Sequence, residues 1–333
     1  MQSTRTSVTS GKLLSIIIPT YNGGEWIEQG IRSIAQQIEN MPEVELIVRD
    51  NASTDNTIDI VASLQNVYPG IIKYNRRDEN TPFLDANFKE AIDLSSGEYI
   101  MRVGDDDALM PFAVPYLVKL IEDNKDITLF YANRIVANWD FTHAFLRDCR
   151  MVVPGSNIIY HNIVDFLLSN INGPDFISVN VITREAYLSS TKVDTSRYYG
   201  YEWYGRYLFG TKGRNVMYIS VPLVVQRLPR KRSWGKQSVL YALVGLSNLL
   251  HDIDDTGTVY DMWMKHLHSK GRIYATLSGL THNKPLYREK YTEIIIHLNG
   301  FERLDAWLLL HCGVYKYLHS FILIVLKKIK YIA

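Results

Sequence analysis

Leu13-Leu14-Ser15-Ile16-Ile17-Ile18-Pro19-Thr20-Tyr21-Asn22-Gly23-Gly24 is the stretch on which the fold is decided. Its first six residues are apolar at successive positions, broken only by Ser15, and rich in β-branched side chains. Such a run reads as a strand buried on both faces, as in a parallel sheet. Pro19 to Gly24 interrupts it. From Glu25 to Gln37 the spacing turns helical, with apolar residues at Trp26, Ile27, Ile31, Ile34 and then Ile38. Strand, polar break and helix form the unit from which the reading extends.

The unit repeats. Val44 to Val48 is a second strand that stops at Arg49-Asp50-Asn51. Thr54 or Asp55 caps a helix through Ile58, Val61, Ala62 and Leu64. Ile71 to Tyr74 is a third strand, and Asn87 to Leu94 a helix ended by Ser95-Ser96-Gly97. Glu98 to Val103 is a fourth strand running into Gly104-Asp105-Asp106-Asp107. Phe112 to Asp123 is helical, and Thr128 to Asn133 a fifth strand. This alternation predicts an α/β fold, a mostly parallel sheet flanked by helices on both faces. Sheets of that kind bind ligands beyond the carboxyl ends of their strands. The polar clusters at 19–22, 50–55 and 104–107 all fall at strand ends, so they are expected to share one crevice.

After about residue 135 the alternation fades, which sets boundaries of 1–135, 136–235 and 236–333. The middle stretch holds an aromatic cluster from Tyr198 to Tyr204, a strand from Val216 to Val225 and a basic run from Arg227 to Arg232. From Gln237 onward the pattern is helical.

Composition narrows the function. The 333 residues carry 36 Lys and Arg against 35 Asp and Glu, a net charge of +1, which gives no reason to expect nucleic-acid binding. Cys149 and Cys312 form neither a disulfide framework nor a zinc spacing, and fit a reducing cytosol. The first apolar run is too short for a signal-peptide core. No apolar stretch reaches the ~20 residues that span a bilayer.

Asp105-Asp106-Asp107 carries the sharpest chemistry. Three carboxylates at a strand end repel one another unless a cation neutralises them. Mg²⁺ and Mn²⁺ take carboxylate and phosphate oxygens together, so Asp105, Asp106 and Asp107 are candidate ligands for a metal that also holds a diphosphate. The competing reading is a solvated acidic turn, or a cap for the helix near Pro111. Asp50 can accept a hydrogen bond from a nucleobase or ribose, whereas Asp55 reads as a helix cap. Pro19, Thr20, Tyr21 and Asn22 offer backbone and an aromatic ring to a base; alone they would be an ordinary strand-to-helix turn.

Taken together, Ser15 to Asn22, Asp50 to Asp55, and Ser96 to Ile100 running into Asp105 to Asp107 resemble glycosyltransferase family 2, inverting enzymes of the GT-A fold. Order and spacing over the first ~110 residues carry the likeness. Asn80, Asp85 to Phe88 and Gly104 to Leu109 make it similar to abequosyltransferase-type and related O-antigen members. The resemblance implies a Rossmann-like GT-A sheet with a helical C-terminal extension. Residues 1–135 would be the donor half and 136–235 the acceptor-binding and catalytic half of the same domain. It implies a nucleoside-diphosphate sugar donor, Mn²⁺ or Mg²⁺, and a saccharide acceptor that can be polyprenyl-diphosphate-linked. Thr20, Tyr21, Asn22 and Asn80 would line the donor pocket and Asp50 would bind the base. Asp105 and Asp106 would form the metal motif, with Asp106 the direct ligand. Gly104 stands where many members have Asp, which shifts the site onto 105–107.

An inverting transfer needs a base near the acceptor hydroxyl. The resemblance places it well downstream, at Glu202 with Asp194 as second choice; the family's frequent Glu-Asp pair is missing. An ion pair of Glu202 with Arg206 is the competing reading. The basic run 227–232 with Trp234 would clamp a phosphate or lie in solvent. Trp307 to Ile332 combines apolar residues with Lys316, Lys327, Lys328 and Lys330, the make-up of a helix at a membrane interface or of one docked on its own core. A cytoplasmic protein, peripheral on the inner membrane face, is expected. A nucleotidyltransferase would want a Gly-rich basic loop that residues 11–24 lack. A non-catalytic nucleotide-sugar-binding protein is the other alternative.

Overall fold

The structure is a computed structural model that describes residues 11–81, 84–145, 156–170, 176–228, 239–269, 272–312 and 315–320. The alternation is as expected through the first half: β1 (Leu14–Thr20), α1 (Ile27–Ile38), β2 (Val44–Asp50), α2 (Thr57–Val67), β3 (Ile72–Arg76), α3 (Leu84–Asp93) and β4 (Tyr99–Arg102). Then follow β5 (Ala108–Leu109), α4 (Ala113–Asp123), β6 (Ile127–Ala137), β7 (Ala144–Phe145), β8 (Ile158–Tyr160) and α5 (Ile163–Asn170). After these come β9 (Asn180–Thr183), α6 (Arg184–Ser189), α7 (Glu202–Thr211) and β10 (Asn215–Arg227).

The strands form one sheet in the order β3-β2-β1-β4-β9-β6-β10-β5. β1 pairs in parallel with β2 and β4, and β6 with β10, while β9 runs antiparallel between β4 and β6. All seven residues of β2 are buried, because helices cover both faces. α1 turns Ile27, Ile31, Ile34, Ala35 and Ile38 inward at the helical period and packs on α2 and α4, while α3 lies on β1 and β2.

A polar lock ties the amino ends of the strands together. Buried Glu45 accepts from Ser15 Oγ at 2.6 Å, Ser96 N at 2.6 Å and Lys73 Nζ at 2.6 Å, and Ser15 Oγ accepts from Gly97 N at 2.8 Å. Burial alone would raise the Glu45 pKa, but these donors hold it at about 2. Arg184 adds bonds from Nε to the Gly97 carbonyl at 2.8 Å and from Nη1 to the Ile92 carbonyl at 2.8 Å, the latter closing the end of α3. The Ser96-Gly97 pair therefore anchors β4 at the pole opposite the polar clusters.

Two compact units divide the chain. The first comprises Met1–Phe166, Gly173–Thr191 and Gly210–Pro229, and contains the sheet; the second comprises Leu167–Asn172, Lys192–Phe209 and Arg230–Ala333. Residues 1–135 fall in the first, 236–333 in the second, and 136–235 are split between them. The second unit is helical, with α8 (Leu246–Ile253), α9 (Thr258–His268), α10 (Arg272–Leu277), α11 (Lys284–Glu289), α12 (Tyr291–Ile295) and α13 (Gly300–His311). In place of one helix from 307 to 332, α13 begins at an Asn299–Glu302 capping box and stops at His311; a second short helix covers 315–320, and 321–333 lie outside the described residues. Tyr198, Trp203 and Tyr204 are buried, so three of the five aromatics of the cluster are core.

Candidate functional site

The turns that follow β1 and β2 are fastened to each other. Asn51 N donates to the Thr20 carbonyl at 2.8 Å, Asn22 N to Ser53 Oγ at 2.9 Å, and Thr54 N to Asn22 Oδ1 at 2.8 Å. Each turn contains a left-handed residue, Asn22 at φ 53° and Ala52 at φ 63°. Asn adopts that conformation readily and Ala does not, so the second turn is strained. Asp55 accepts from Thr57 N at 3.0 Å and Gly24 N at 3.0 Å; it stands one residue before the N-cap, Asn56, which makes no side-chain cap hydrogen bond.

Asp50 is fully buried beneath these turns. Its Oδ1 accepts from Ser53 N at 2.8 Å and Ser53 Oγ at 2.6 Å, and its Oδ2 accepts from Tyr74 OH at 2.6 Å. Arg76 Nε stands 3.9 Å from the same oxygen. Asn51 pairs with Thr81 through both side-chain ends, and Asn80 Nδ2 donates to the Asn51 carbonyl at 3.1 Å.

The acidic turn joins the same place. Thr20 Oγ1 donates to Asp105 Oδ2 at 2.6 Å. Asp107 points inward: Ser178 Oγ donates to its Oδ2 at 2.5 Å and Arg227 N to its Oδ1 at 3.1 Å. Ser178 Oγ also accepts from Gly104 N at 2.9 Å. A Cβ on Gly104 would stand 3.0 Å from both Asp106 Oδ1 and Asp107 Oδ2, so a side chain at this position, which differs from many family members, would press on both carboxylates. Asp106 is half-buried, and among the described residues no other residue donates to its carboxylate.

α1 cradles this turn. A Cβ on Gly30 would lie 2.8 Å from the Asp107 carbonyl oxygen, so only glycine lets the turn sit so close. Ser33 Oγ accepts from Leu109 N at 3.0 Å, Gln37 Oε1 from Val114 N at 3.0 Å, and Gln37 Nε2 donates to the Met110 carbonyl at 2.9 Å. Arg227, expected either to clamp a phosphate or to lie in solvent, is instead buried behind the turn. Its Nε donates to the Asp106 carbonyl at 2.7 Å, Nη2 donates to Gln29, Nη1 donates to the Trp139 carbonyl, and its plane lies over Phe141. Residues 229–238, which include the rest of the basic run and Trp234, lie outside the described residues.

Burial, then the charge of Asp106, pushes Asp105 up to about 6 against the Thr20 hydrogen bond. Burial also raises Asp106 and Asp107, the latter further through Asp106. The turn thus holds more negative charge than it can settle, which a divalent cation would relieve. No three His, Cys, Asp or Glu side chains among the described residues form a metal cage. A metal assembled with substrate phosphates needs only one or two carboxylates and water, and that donor set fits Asp106 with Asp105. Both carboxylate oxygens of Asp107 already accept hydrogen bonds, from Ser178 Oγ and Arg227 N.

The structure therefore brings Pro19, Thr20, Tyr21, Asn22, Asp50, Asn80, Asp105 and Asp106 to one pole of the first unit. Tyr21 is 47% exposed there, its ring open to a flat ligand. Glu202 and Asp194 belong to the second unit. Glu202 opens α7, and Arg206 Nη1 donates to the Val193 carbonyl at 2.6 Å. Asp194 is exposed and accepts from Ser196 N at 3.0 Å, which holds its pKa below the usual range and weakens it as a base. Sequence reasoning missed Gln29, Gly30, Ser33, Gln37, Ser178 and the inward role of Arg227.

An α/β protein with an acidic turn, an exposed tyrosine and a buried carboxylate gathered at the carboxyl pole of its sheet is the class these observations define. Residues 15–190 match Glycosyl transferase family 2, and the chain belongs to that family. Abequosyltransferase RfbV of Salmonella typhimurium is 29% identical over 226 residues, 65% of this chain and 66% of that one. The GalNAc(5)-diNAcBac-PP-undecaprenol beta-1,3-glucosyltransferase of Campylobacter jejuni is 33% identical over 106 residues, 32% of this chain and 33% of that one. The matched stretch thus spans just under two thirds of the first relative and a third of the second. Among solved structures, S. aureus TarS 1-349 in complex with UDP-GlcNAc aligns with a TM-score of 0.55 at 14% identity, covering 91% of this chain and 88% of that one. Mannosyltransferase PcManGT from Pyrobaculum calidifontis, in complex with GDP-Man and Mn2+, aligns with a TM-score of 0.54 at 15% identity, covering 93% and 86%. These likenesses establish the GT-A fold.

Proposed function

We propose that the chain is an inverting glycosyltransferase that moves a hexosyl or deoxyhexosyl group from a nucleoside-diphosphate sugar to a saccharide acceptor in surface polysaccharide synthesis. One observation carries the reading: three polar stretches separated by up to 85 residues are hydrogen-bonded into one pole, with Thr20 on Asp105 and Asn22 on Ser53. The names of the relatives support it, since one is an abequosyltransferase and the other acts, by its name, on a PP-undecaprenol-linked saccharide. The acceptor proposed here is accordingly a saccharide on a polyprenyl diphosphate, met at the cytosolic membrane face.

Within that reading Tyr21 stacks on the base, and the turn 51–53 meets its edge. Asp50 holds the turn, and a base N–H reaches its Oδ2 by replacing the Tyr74 hydroxyl. Asp106, with Asp105 beside it, would hold Mn²⁺ or Mg²⁺, which when bound stabilises negative charge on the departing diphosphate. Arg227 and α1 keep the acidic turn in position so that little reorganisation is needed during reaction. Glu202, partly exposed on α7, is the proposed base for the acceptor hydroxyl; the low pKa of Asp194 makes it second choice.

Purified protein assayed with Mn²⁺ and a panel of nucleotide sugars should release nucleoside diphosphate in the presence of a saccharide acceptor. Asp106→Ala should lower that rate by about a hundredfold or more. Undiminished transfer by Asp106→Ala would remove the metal assignment, and no transfer with any donor would remove the reading itself.

A further inference from the structure

α13 is apolar on two opposite sides. One side is core: Ala306, Leu309 and Leu310 are buried together with Glu302 and Asp305. The other faces solvent, with Phe301 83% exposed, Leu304 55% and Trp307 44%. At ~100° per residue these three occupy roughly a third of the helix circumference. A helix that docks once on its own protein needs a single apolar stripe.

The short helix 315–320 continues the pattern. His319 is buried, whereas Tyr317 is 69% and Leu318 53% exposed. A buried latch holds it to α13 and α10: His319 Nδ1 lies 3.0 Å from Asp305 Oδ1, His319 Nε2 lies 3.0 Å from the Tyr274 carbonyl, and Tyr315 OH donates to Asp305 Oδ1 at 2.8 Å. The latch fixes which side of the helix is displayed.

Charge is equally one-sided. Between Gly300 and Ala333 the acidic residues are Glu302 and Asp305. Both are buried, Glu302 facing His268 at 3.0 Å and Asp305 facing His319. Among the described residues of this stretch the cations are Arg303 and Lys316, and both are exposed, in a chain whose whole net charge is +1.

We infer that this face docks in the interfacial layer of an anionic lipid bilayer. Phe301, Leu304, Trp307, Tyr317 and Leu318 enter the upper acyl region, and the exposed Arg303 and Lys316 meet headgroup phosphates. Charge decides the occupant, because a second copy would oppose two cationic faces. No helix among the described residues is long and apolar enough to cross a membrane, and the proposed contact runs along the surface. It stands whether or not the chain transfers sugars.

Co-sedimentation of the full chain with vesicles of phosphatidylcholine, and of phosphatidylcholine with phosphatidylglycerol, tests the surface. Binding is expected to the anionic vesicles and to weaken with added salt. The double change Phe301→Ser and Leu304→Ser, at exposed positions, should weaken it about tenfold or more. Lys316→Glu should weaken binding to the anionic vesicles alone, which keeps the test open if the double variant folds poorly. Failure to bind either vesicle would overturn the inference, as would binding unchanged in both variants. A lipid-independent dimer that the double variant dissolves would reassign the face to a second copy.

Discussion

Asp107 sends its carboxylate into the protein, where Ser178 donates at 2.5 Å and the Arg227 amide at 3.1 Å, while Asp106, one residue earlier, has no such donor among the described residues. The two should therefore fail differently. Asp107→Ala leaves Ser178 Oγ and the Arg227 N–H without their acceptor, at about 1–3 kcal/mol each when buried. A loss of ~2–4 kcal/mol in urea unfolding is expected. Asp106→Ala, on a half-buried side chain that accepts from no other described residue, should unfold at the wild-type midpoint. Equal midpoints for both variants would show that Asp107 is not the inward brace. Glu45 supplies a pH test at the other pole. Its folded pKa lies at about 2 against an ordinary 4.5. A depressed carboxylate contributes stability that is complete above its unfolded pKa and is lost as pH falls through that window. Wild type should lose stability between pH 4.5 and 2 more steeply than Glu45→Gln, with the melting temperature as the readout. Parallel curves would remove Glu45 as the lock. Neither the brace nor the lock can be read from sequence, since a buried aspartate and an exposed one share a letter, and Ser178 stands 71 residues from Asp107.

α1 shows how far an element can be read in advance. Its apolar residues announce both the helix and its buried face, and the structure has them there. Gln29, Ser33 and Gln37 repeat every four residues on another side and look like an ordinary wet stripe. Their partners, Arg227, Leu109, Met110 and Val114, lie more than 70 residues away, so no local pattern reveals the grip. Strand β9 escaped for a related reason: four residues carry little periodicity, and only pairing with β4 and β6 makes them a strand. Gly30→Ala tests the cradle because two effects oppose in sign. Ala in a helix interior should stabilise by ~1 kcal/mol over Gly. A Cβ placed 2.8 Å from the Asp107 carbonyl must displace the acidic turn, and overpacking of that kind costs about 1–3 kcal/mol. The expected result is a lower melting temperature with kcat/KM down by about tenfold, since misplacement near ~1 Å is costly to catalysis. A stabilised and fully active variant would show that the turn is free of α1.

At the scale of the molecule, the rule that open α/β sheets bind ligands beyond their strand ends was enough to bring 19–22, 50–55 and 104–107 together before any coordinates. The division into two units was not legible. Lys192–Phe209 joins the helical unit from the middle of the chain, although the neighbouring segments on both sides belong to the sheet. Chain order carries no mark of such an exchange, which depends on which surfaces match. The converged pole makes its own thermodynamic prediction. A ligand that binds only the folded state stabilises it by RT ln(1 + [L]/Kd), about 2.7 kcal/mol at a hundred times Kd. For a protein of this size that corresponds to several degrees in melting temperature. UDP or GDP with Mn²⁺ should therefore raise the melting temperature, and one nucleotide should do so more than the other. Asp106→Ala should abolish the part of the shift that requires Mn²⁺ and keep the part given by nucleotide alone. Tyr21→Ala should lower both, because the ring is exposed at the pole. If no nucleotide shifts the transition at any metal concentration, the acidic turn and the tyrosine meet for a reason other than a diphosphate.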